Sequence, residues 1–451
     1  MDWMVKRLRT LSGQVEVCVL LVLLTLGIAQ SGWAQGSTSF PTSQSRESKE
    51  RPLPDRLPDK PTLPPIFSIP VEPLGFSAPG PIYLGQRNSL ASLDFFDEDR
   101  LLFTFRVPGL MHRETGSDAW SDERQIRAVV LSLPTGAVTA EALWTVHDRV
   151  RYLWMLRDGH FLLRDRDGIE KGDATLELKP ALHFPGPILW MEIDPTQQFL
   201  VTNSREPAET VEKPGDVPSP PTAQASISVD GEKANVPELV VRILRRDSGK
   251  VMLVSRSRAA VHLPINSDGY VETLRGDGEQ WLLNLDYFSG GSTVLGHVNS
   301  MCPPNVDFIS QRELLVTACD GGGGHRLVAM SASGHRLWED LSSPQAIWPL
   351  LVMAPDGSRL ARETLAVNHE VNAYSPIDSE DIKGQLVRVF DAATGRVALD
   401  APASPALDAG GNVAISPSGR RVAVINAGSI EVFELPVPPA LEDNTKTKAA
   451  H

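Results

Sequence analysis

One short pattern recurs along this chain and limits what it can fold into: an apolar strand, a polar turn carrying Asp, Pro, Ser or Gly, and a second apolar strand. It reads LDFFDEDRLLFTF (93–105), LWMLRDGHFLL (153–163), WMEIDPTQQFLVT (190–202) and VHLPINSDGYVETL (261–274). It returns as VDFISQRELLVT (306–317), LVMAPDGSRLA (351–361) and VAISPSGRRVA (413–423), which makes seven copies. The spacing is about 40 to 45 residues, or about 60 to 70 where a polar stretch intervenes, as expected of propeller blades. A unit this short cannot bury its apolar faces alone and must stack on its neighbours.

A second hairpin follows each of the first six copies. It appears as AVVLSLPTGAVTAEAL (128–143), LVVRILRRDSGKVMLV (239–254), WLLNLDYFSGGSTVLG (281–296), RLVAMSASGHRLWE (326–339) and LVRVFDAATGRVAL (386–399), with ATLELKPALHF (174–184) a weaker instance. Each unit thus has four strands, A to D from the inside outward, which is one β-propeller blade. The seventh unit ends after a single further strand, SIEVFEL (429–435), because Pro436 and Pro438 stop the sheet. Upstream, PIYLGQ (81–86) belongs to no unit. Pairing it into the last blade would close the ring and remove two exposed sheet edges. The expected fold is all-β: a single β-propeller over 81–436, seven four-stranded blades closed by an N-terminal strand pairing into the last one. Abundant Gly (35) and Pro (36) suit short strands joined by turns.

The segments LVRVFDAATGRVAL, VAISPSGRRVAVI and LVMAPDGSRLA resemble repeats of WD-repeat-like and YVTN-type bacterial β-propellers. The Trp-Asp dipeptide is replaced here by Phe390-Asp391, and Trp338-Glu339-Asp340 only approximates its setting. SASGHRLWED (331–340) also resembles the tryptophan-bearing turn of quinoprotein dehydrogenase propellers. These resemblances imply a fold in the propeller superfamily and leave the activity open.

Lys6, Arg7 and Arg9 precede an apolar run from Val17 to Ala29, and Gly32-Trp33-Ala34 follows. This is the pattern of a secretory signal peptide over 1–34, cleaved before Gln35. The run is shorter than the roughly 20 residues a spanning helix needs, so no membrane span is expected after cleavage. The alternative is an uncleaved anchor. Localisation is then periplasmic or extracellular, and the style of leader and repeat suggests a Gram-negative bacterium. Residues 35–80 read as a Ser/Thr- and Pro-rich disordered linker. A disordered insertion is expected at about 204–238, irregular loops at 108–126 and 364–385, and a polar tail at 437–451. Two cysteines remain in the mature chain, Cys302 and Cys319, on either side of one A–B hairpin. In an oxidising compartment they are a disulfide candidate; the alternative is a pair of buried thiols.

The net charge of −13 argues against nucleic acid, whose phosphates need clustered cations. The three long polar stretches fall between strands B and C of their blades, so they emerge on one face of the disc. Loops on a rigid scaffold are where binding concentrates. Candidate rim residues are His112, Arg113 and Trp120 on one loop and His369, Glu370 and Tyr374 on another, with Met111, Glu114, Asp378, Glu380 and Asp381 beside them. Asp165-Arg166-Asp167-Gly168 has a fragment of a calcium loop but no bidentate Glu at its end, and reads as a turn. CDGGGGH (319–325) lacks the Lys-Ser/Thr of a phosphate cradle. The Trp residues at 144, 154, 190, 281, 338 and 348 are expected to wedge between blades. No catalytic, metal or cofactor pattern occurs, and no cofactor is expected. The reading is a monomeric, non-enzymatic interaction module for a protein or glycan of the cell envelope. The alternative is a propeller enzyme, either a quinoprotein-like oxidoreductase or a hydrolase or lyase working at the channel mouth.

Overall fold

Strands Arg100–Arg106, Phe199–Arg205 and Arg359–Val367 are buried along nearly their whole length, with no polar face left for solvent. Such strands must be covered on both sides, and a ring of radial sheets does this by setting each blade between two others. A computed structural model describes residues 57–78, 90–109, 112–113, 122–147, 151–206, 239–258, 261–320, 324–370, 378–407 and 409–437. These form seven antiparallel sheets. Among them no α-helix occurs, only 3-10 turns at Glu72–Leu74 and Ser379–Asp381.

Blade 1 runs Ala91–Phe95, Arg100–Arg106, Asp122–Ser132 and Ala137–Val146, and blade 2 runs Leu153–Met155, His160–Asp165, Gly168–Asp173 and Lys179–His183. Blade 3 is Ile188–Ile193, Phe199–Arg205, Leu239–Arg245 and Val251–Ser257. Blade 4 holds Gly269–Arg275, Gln280–Tyr287 and Ser292–Asn299. Blade 5 is Asn305–Ser310, Glu313–Cys319, His325–Ser331 and Arg336–Leu341, and blade 6 is Ala346–Met353, Arg359–Val367, Ile382–Asp391 and Val397–Ala403. Blade 7 takes Val413–Ile415, Arg421–Asn426 and Ser429–Glu434 from the end of the repeat region and its outer strand, Phe67–Pro70, from the N-terminal side.

The core is divided accordingly. Seven apolar clusters are present, each between two consecutive blades. Successive residues of one strand serve different clusters: Leu101, Phe103 and Phe105 face blade 7, whereas Leu102 faces blade 2. Trp144, Trp154 and Trp338 sit in these interfaces, and Trp338 stacks on Phe390 at 5.7 Å between centroids. Trp190 departs from that expectation and is 41% exposed.

Closure by an N-terminal strand is present, but the strand is FSIP (67–70), where 81–86 was expected. Residues 81–86 lie outside the described residues. Phe67, Ser68, Ile69 and Pro70 pair with Val432, Glu431, Ile430 and Ser429. The closing strand ends in Pro70, a residue compatible with the outermost strand of a sheet. The chain before it is also placed on the ring: Thr62 donates its N–H to the Asp400 carbonyl at 2.8 Å and accepts the Asp400 N–H on its hydroxyl at 3.0 Å. Part of the stretch read as a linker, 57–78, is therefore folded against blades 6 and 7. After the closing strand, Gly75 takes a left-handed φ of 86°, and Phe76 packs edge-on against Phe103 and Phe105.

Blade 4 differs from the repeat reading. Its inner position is filled by 261–266, bonded to the next strand through an Ile265–Tyr270 bridge, the Asn266 and Pro264 backbone and the Asn266 side-chain carbonyl, which accepts the Gly269 N–H. Pro264 has no N–H to give a regular ladder. The irregular loops are also narrower than expected, since strand C of blade 1 starts at Asp122 and blade 6 is regular to Val367 and again from Ile382. Cys302 and Cys319 are disulfide-bonded, with 5.5 Å between their Cα atoms.

Two outcomes test this account. A chain starting at Leu57 should match the full chain in urea denaturation, whereas one starting at Val71 should lose its cooperative transition. Equal midpoints would show that Phe67–Pro70 does not close the ring. In the denatured, unreduced chain starting at Leu57, a thiol reagent should find no reactive group, and reduction should lower stability by roughly 3 kcal/mol, the value for a loop of this length. Two titrating thiols would remove the bond.

Candidate functional site

The expected rim residues fall on blades 1 and 6, with blade 7 between them. His112 and Arg113 form a two-residue strand opposite Glu123 and Asp122. Trp120 and Tyr374 lie outside the described residues. His369 sits beside Asn368 at 2.8 Å and 3.6 Å from Asp381, and Glu370 is exposed. Each long connection leaves from a closed stem. In blade 1 Val107 donates its N–H to Gln125, and in blade 6 Asn368 donates to Asp381, both at 2.9 Å. In blade 3 the buried Glu206 carboxylate takes Arg242 Nη2 at 2.8 Å and the Ser204 hydroxyl at 2.6 Å. Asp165 and Asp167 belong to a tight turn, where Asp165 accepts the His147 N–H at 2.7 Å.

The inner strands carry a second group of polar residues. Asp94, Glu192 and Asp307 occupy the same position in blades 1, 3 and 5, each opposite the third residue of strand B: Leu102, Val201 and Leu315. His262 stands in the irregular inner segment of blade 4 and spans the blades on either side. Its Nδ1 faces Glu192 Oε1, which also accepts the Trp190 indole N–H, and its Nε2 lies 2.6 Å from the Val306 carbonyl. Asp307 Oδ1 is 3.7 Å from Nε2. A carbonyl can only accept, and a carboxylate already taking the indole N–H is an acceptor as well. Both ring nitrogens therefore donate, and His262 is an imidazolium.

The electrostatics agree. Burial opposes charge on His262, but the Glu192 bond and charge, the Asp307 charge and the Val306 carbonyl outweigh it and raise the pKa to about 9. Burial raises Asp307 to about 6, with His262 pulling it down and Glu192 pushing it up. Asp94 also rises to about 6 through burial, opposed by the Ser92 hydroxyl at 2.6 Å and by Arg151. A fourth carboxyl, Glu363, is fully buried in blade 6 and pushed up to about 8. It accepts the Gly411 N–H at 3.1 Å and the Gln385 amide at 3.2 Å, fastening the link into blade 7. Asn203 holds Val261 in the same manner, accepting its N–H at 2.8 Å and donating to its carbonyl at 3.0 Å.

The repeat pattern marks these residues only once its copies are set in register, when a carboxylate recurs at one inner position. His262 has no such signal, because its role depends on the missing strand of blade 4.

On the opposite face, where the A–B and C–D turns emerge, a concavity of about 620 Å³ opens between turns of blades 2, 3, 5 and 6. Among the described residues no group of three or more His, Cys, Asp or Glu side chains is placed to hold a metal ion.

No family model and no curated protein sequence matches this chain. Solved structures do. Acylaminoacyl peptidase from Pyrococcus horikoshii aligns with a TM-score of 0.42 at 9% identity over 76% of this chain, which spans about half (50%) of that enzyme. The propeller domain of the trilobed protease from Pyrococcus furiosus gives 0.42 at 10% identity, covering 80% of this chain and 99% of that one. TolB from Acinetobacter baumannii gives 0.35 at 11%, covering 73% and 76%.

The pH dependence of stability should reveal the His262 proton. A folded pKa raised from 6.5 to about 9 stabilises fully below 6.5 and is lost as pH rises through 9. Replacing His262→Gln should cost about 1.5–3 kcal/mol at pH 6, the range for hydrogen bonds to charged groups. The gap to the parent should close above pH 9. Glu363 titrates in the same window in both proteins, so the difference isolates His262. A gap constant from pH 6 to 10 would contradict a protonated His262.

Proposed function

We propose that this protein is an exported binding module that engages a protein or glycan partner through the B–C face of its ring. One observation carries the reading. The connections between strands B and C are 107–121, 206–238 and 368–381 in blades 1, 3 and 6, but only 166–167, 276–279, 320–324 and 427–428 elsewhere. In an antiparallel blade all of them leave on one face. A rigid ring with long polar connections gathered on one side suits recognition by loops.

The inner channel supports binding over catalysis. A general base needs a free lone pair, and both nitrogens of His262 are committed as donors. Glu363 has a perturbed pKa but is sealed from solvent and serves the link into blade 7. Export is supported by the basic and apolar leader and by the Cys302–Cys319 bond, since structural disulfides belong to oxidising compartments.

Replacing 207–238 with a short Gly-Ser linker tests the reading, with Glu206 and Arg242 left in place. The melting temperature should stay within about 1 °C of the parent, since surface loops change stability little. A partner captured from envelope extract by the parent ring should be lost from the variant. Capture of the same partner by both proteins would move the binding face elsewhere.

A further inference from the structure

The concavity on the A–B face is independent of the loop-bearing rim, and its charged groups are unequally satisfied. Its carboxylates have partners. Asp391 faces the buried Arg359 at 3.4 Å and accepts from the Thr394 hydroxyl and N–H, each at 3.1 Å. Asp356 accepts the Ser358 N–H at 2.9 Å and hydroxyl at 2.7 Å. Burial pushes Glu313 up, toward its neutral form, against the Ser310 hydroxyl.

The cations do not. Arg157, from the A–B turn of blade 2, and Arg312, from that of blade 5, both line the cavity. Neither guanidinium makes a hydrogen bond or ion pair with a described residue. Next to Arg157, Asp158 is approached by Lys171 at 3.7 Å and Arg246 at 3.8 Å, distances too long for hydrogen bonds. Only His160 reaches it closely, at 3.1 Å. The Arg246 Nε–H is buried without an acceptor. The lining itself carries two cations, Arg157 and Arg312, beside the carboxylates of Glu313, Asp356 and Asp391, which the contacts above already engage.

We infer that this mouth of the channel binds a small polyanion whose carboxylate or phosphate groups are held by Arg157 and Arg312. A guanidinium presents paired donors that match the planar edge of an oxyanion, and partial enclosure strengthens the contact. A cavity of about 620 Å³ admits a molecule of metabolite size. Arg157 and Arg312 come from two different blades and line one cavity, so an anion of higher charge draws on both where a monoanion draws on one.

The test uses the mature protein in isothermal titration at fixed ionic strength, set with sodium chloride, and three probes: inorganic phosphate, citrate and acetate. Saturable binding of phosphate or citrate, and none of acetate, is the expected result. Phosphate alone would assign a phosphorylated ligand, and citrate alone a polycarboxylate. Arg157→Gln and Arg312→Gln should each weaken the probe about tenfold, as the loss of a charge-assisted contact predicts. Lys250→Gln, in the C–D turn of blade 3, should not. Both arginines are in exposed turns, and unchanged melting confirms that the ring is intact. Absence of saturable binding by phosphate and citrate overturns the assignment, as does equal binding by the double variant.

Discussion

Burial of strands on both faces is the constraint on which the rest of this structure depends. Leu101, Phe103 and Phe105 alternate with Leu102 and Thr104, and all five are buried. Such a strand has no solvent side, so every blade needs two neighbours and the array must close. The closing interface joins blades 7 and 1 and holds Phe76, Phe103, Phe105, Leu131, Ile430 and Val432 in one cluster. At roughly 1.5–3 kcal/mol for each large buried side chain, a single open interface would forfeit much of the net stability of an ordinary domain. This is why a short strand, Phe67–Pro70, has an effect out of proportion to its length. It covers the outer edge of Ser429–Glu434 and carries the chain into that cluster through Ile69, Val71 and Leu74.

The same constraint explains what the sequence made readable. Two-sided burial leaves long apolar runs broken by polar turns, and seven such runs stand out against ordinary alternating strands. The closing strand did not stand out because FSIP lies among prolines, and proline density indicates extended, unpaired chain. Pro70 sits at the end of an outermost strand, where the absent N–H costs the sheet little. The inner segment of blade 4 was concealed by the opposite effect. VHLPI has the apolar character of a strand, but Pro264 interrupts its ladder. The channel residues were harder still, since Glu192, His262 and Asp307 are far apart in the chain and meet only because successive inner strands converge on the axis.

Polar groups inside this ring act mainly as fasteners. Asn203 and Glu363 sit in strand B and hold the backbone of the link that leads to the next blade. Thr104 bonds a side chain of such a link, the Tyr152 hydroxyl, at 2.8 Å. Apolar packing between blades is non-directional and would tolerate sliding; these bonds fix the relative height of neighbouring blades. His262 extends the same logic to a place where the regular strand is missing. Its ring replaces ladder bonds with two charge-assisted contacts, one to each flanking blade.

The two faces of the disc therefore follow different rules. The B–C face bears the connections that can lengthen without touching an interface, because the stems at Gln125, Glu206 and Asp381 close before the chain departs. The A–B face has short turns whose positions follow from the strands on either side, so the side chains it presents are set by the blades themselves. Arg157 and Arg312 belong to that rigid face. A site built on it is preorganised and limited to small ligands, whereas loops on the opposite rim can cover a large partner. One ring can support both, since each draws on turns that the seven interfaces leave free.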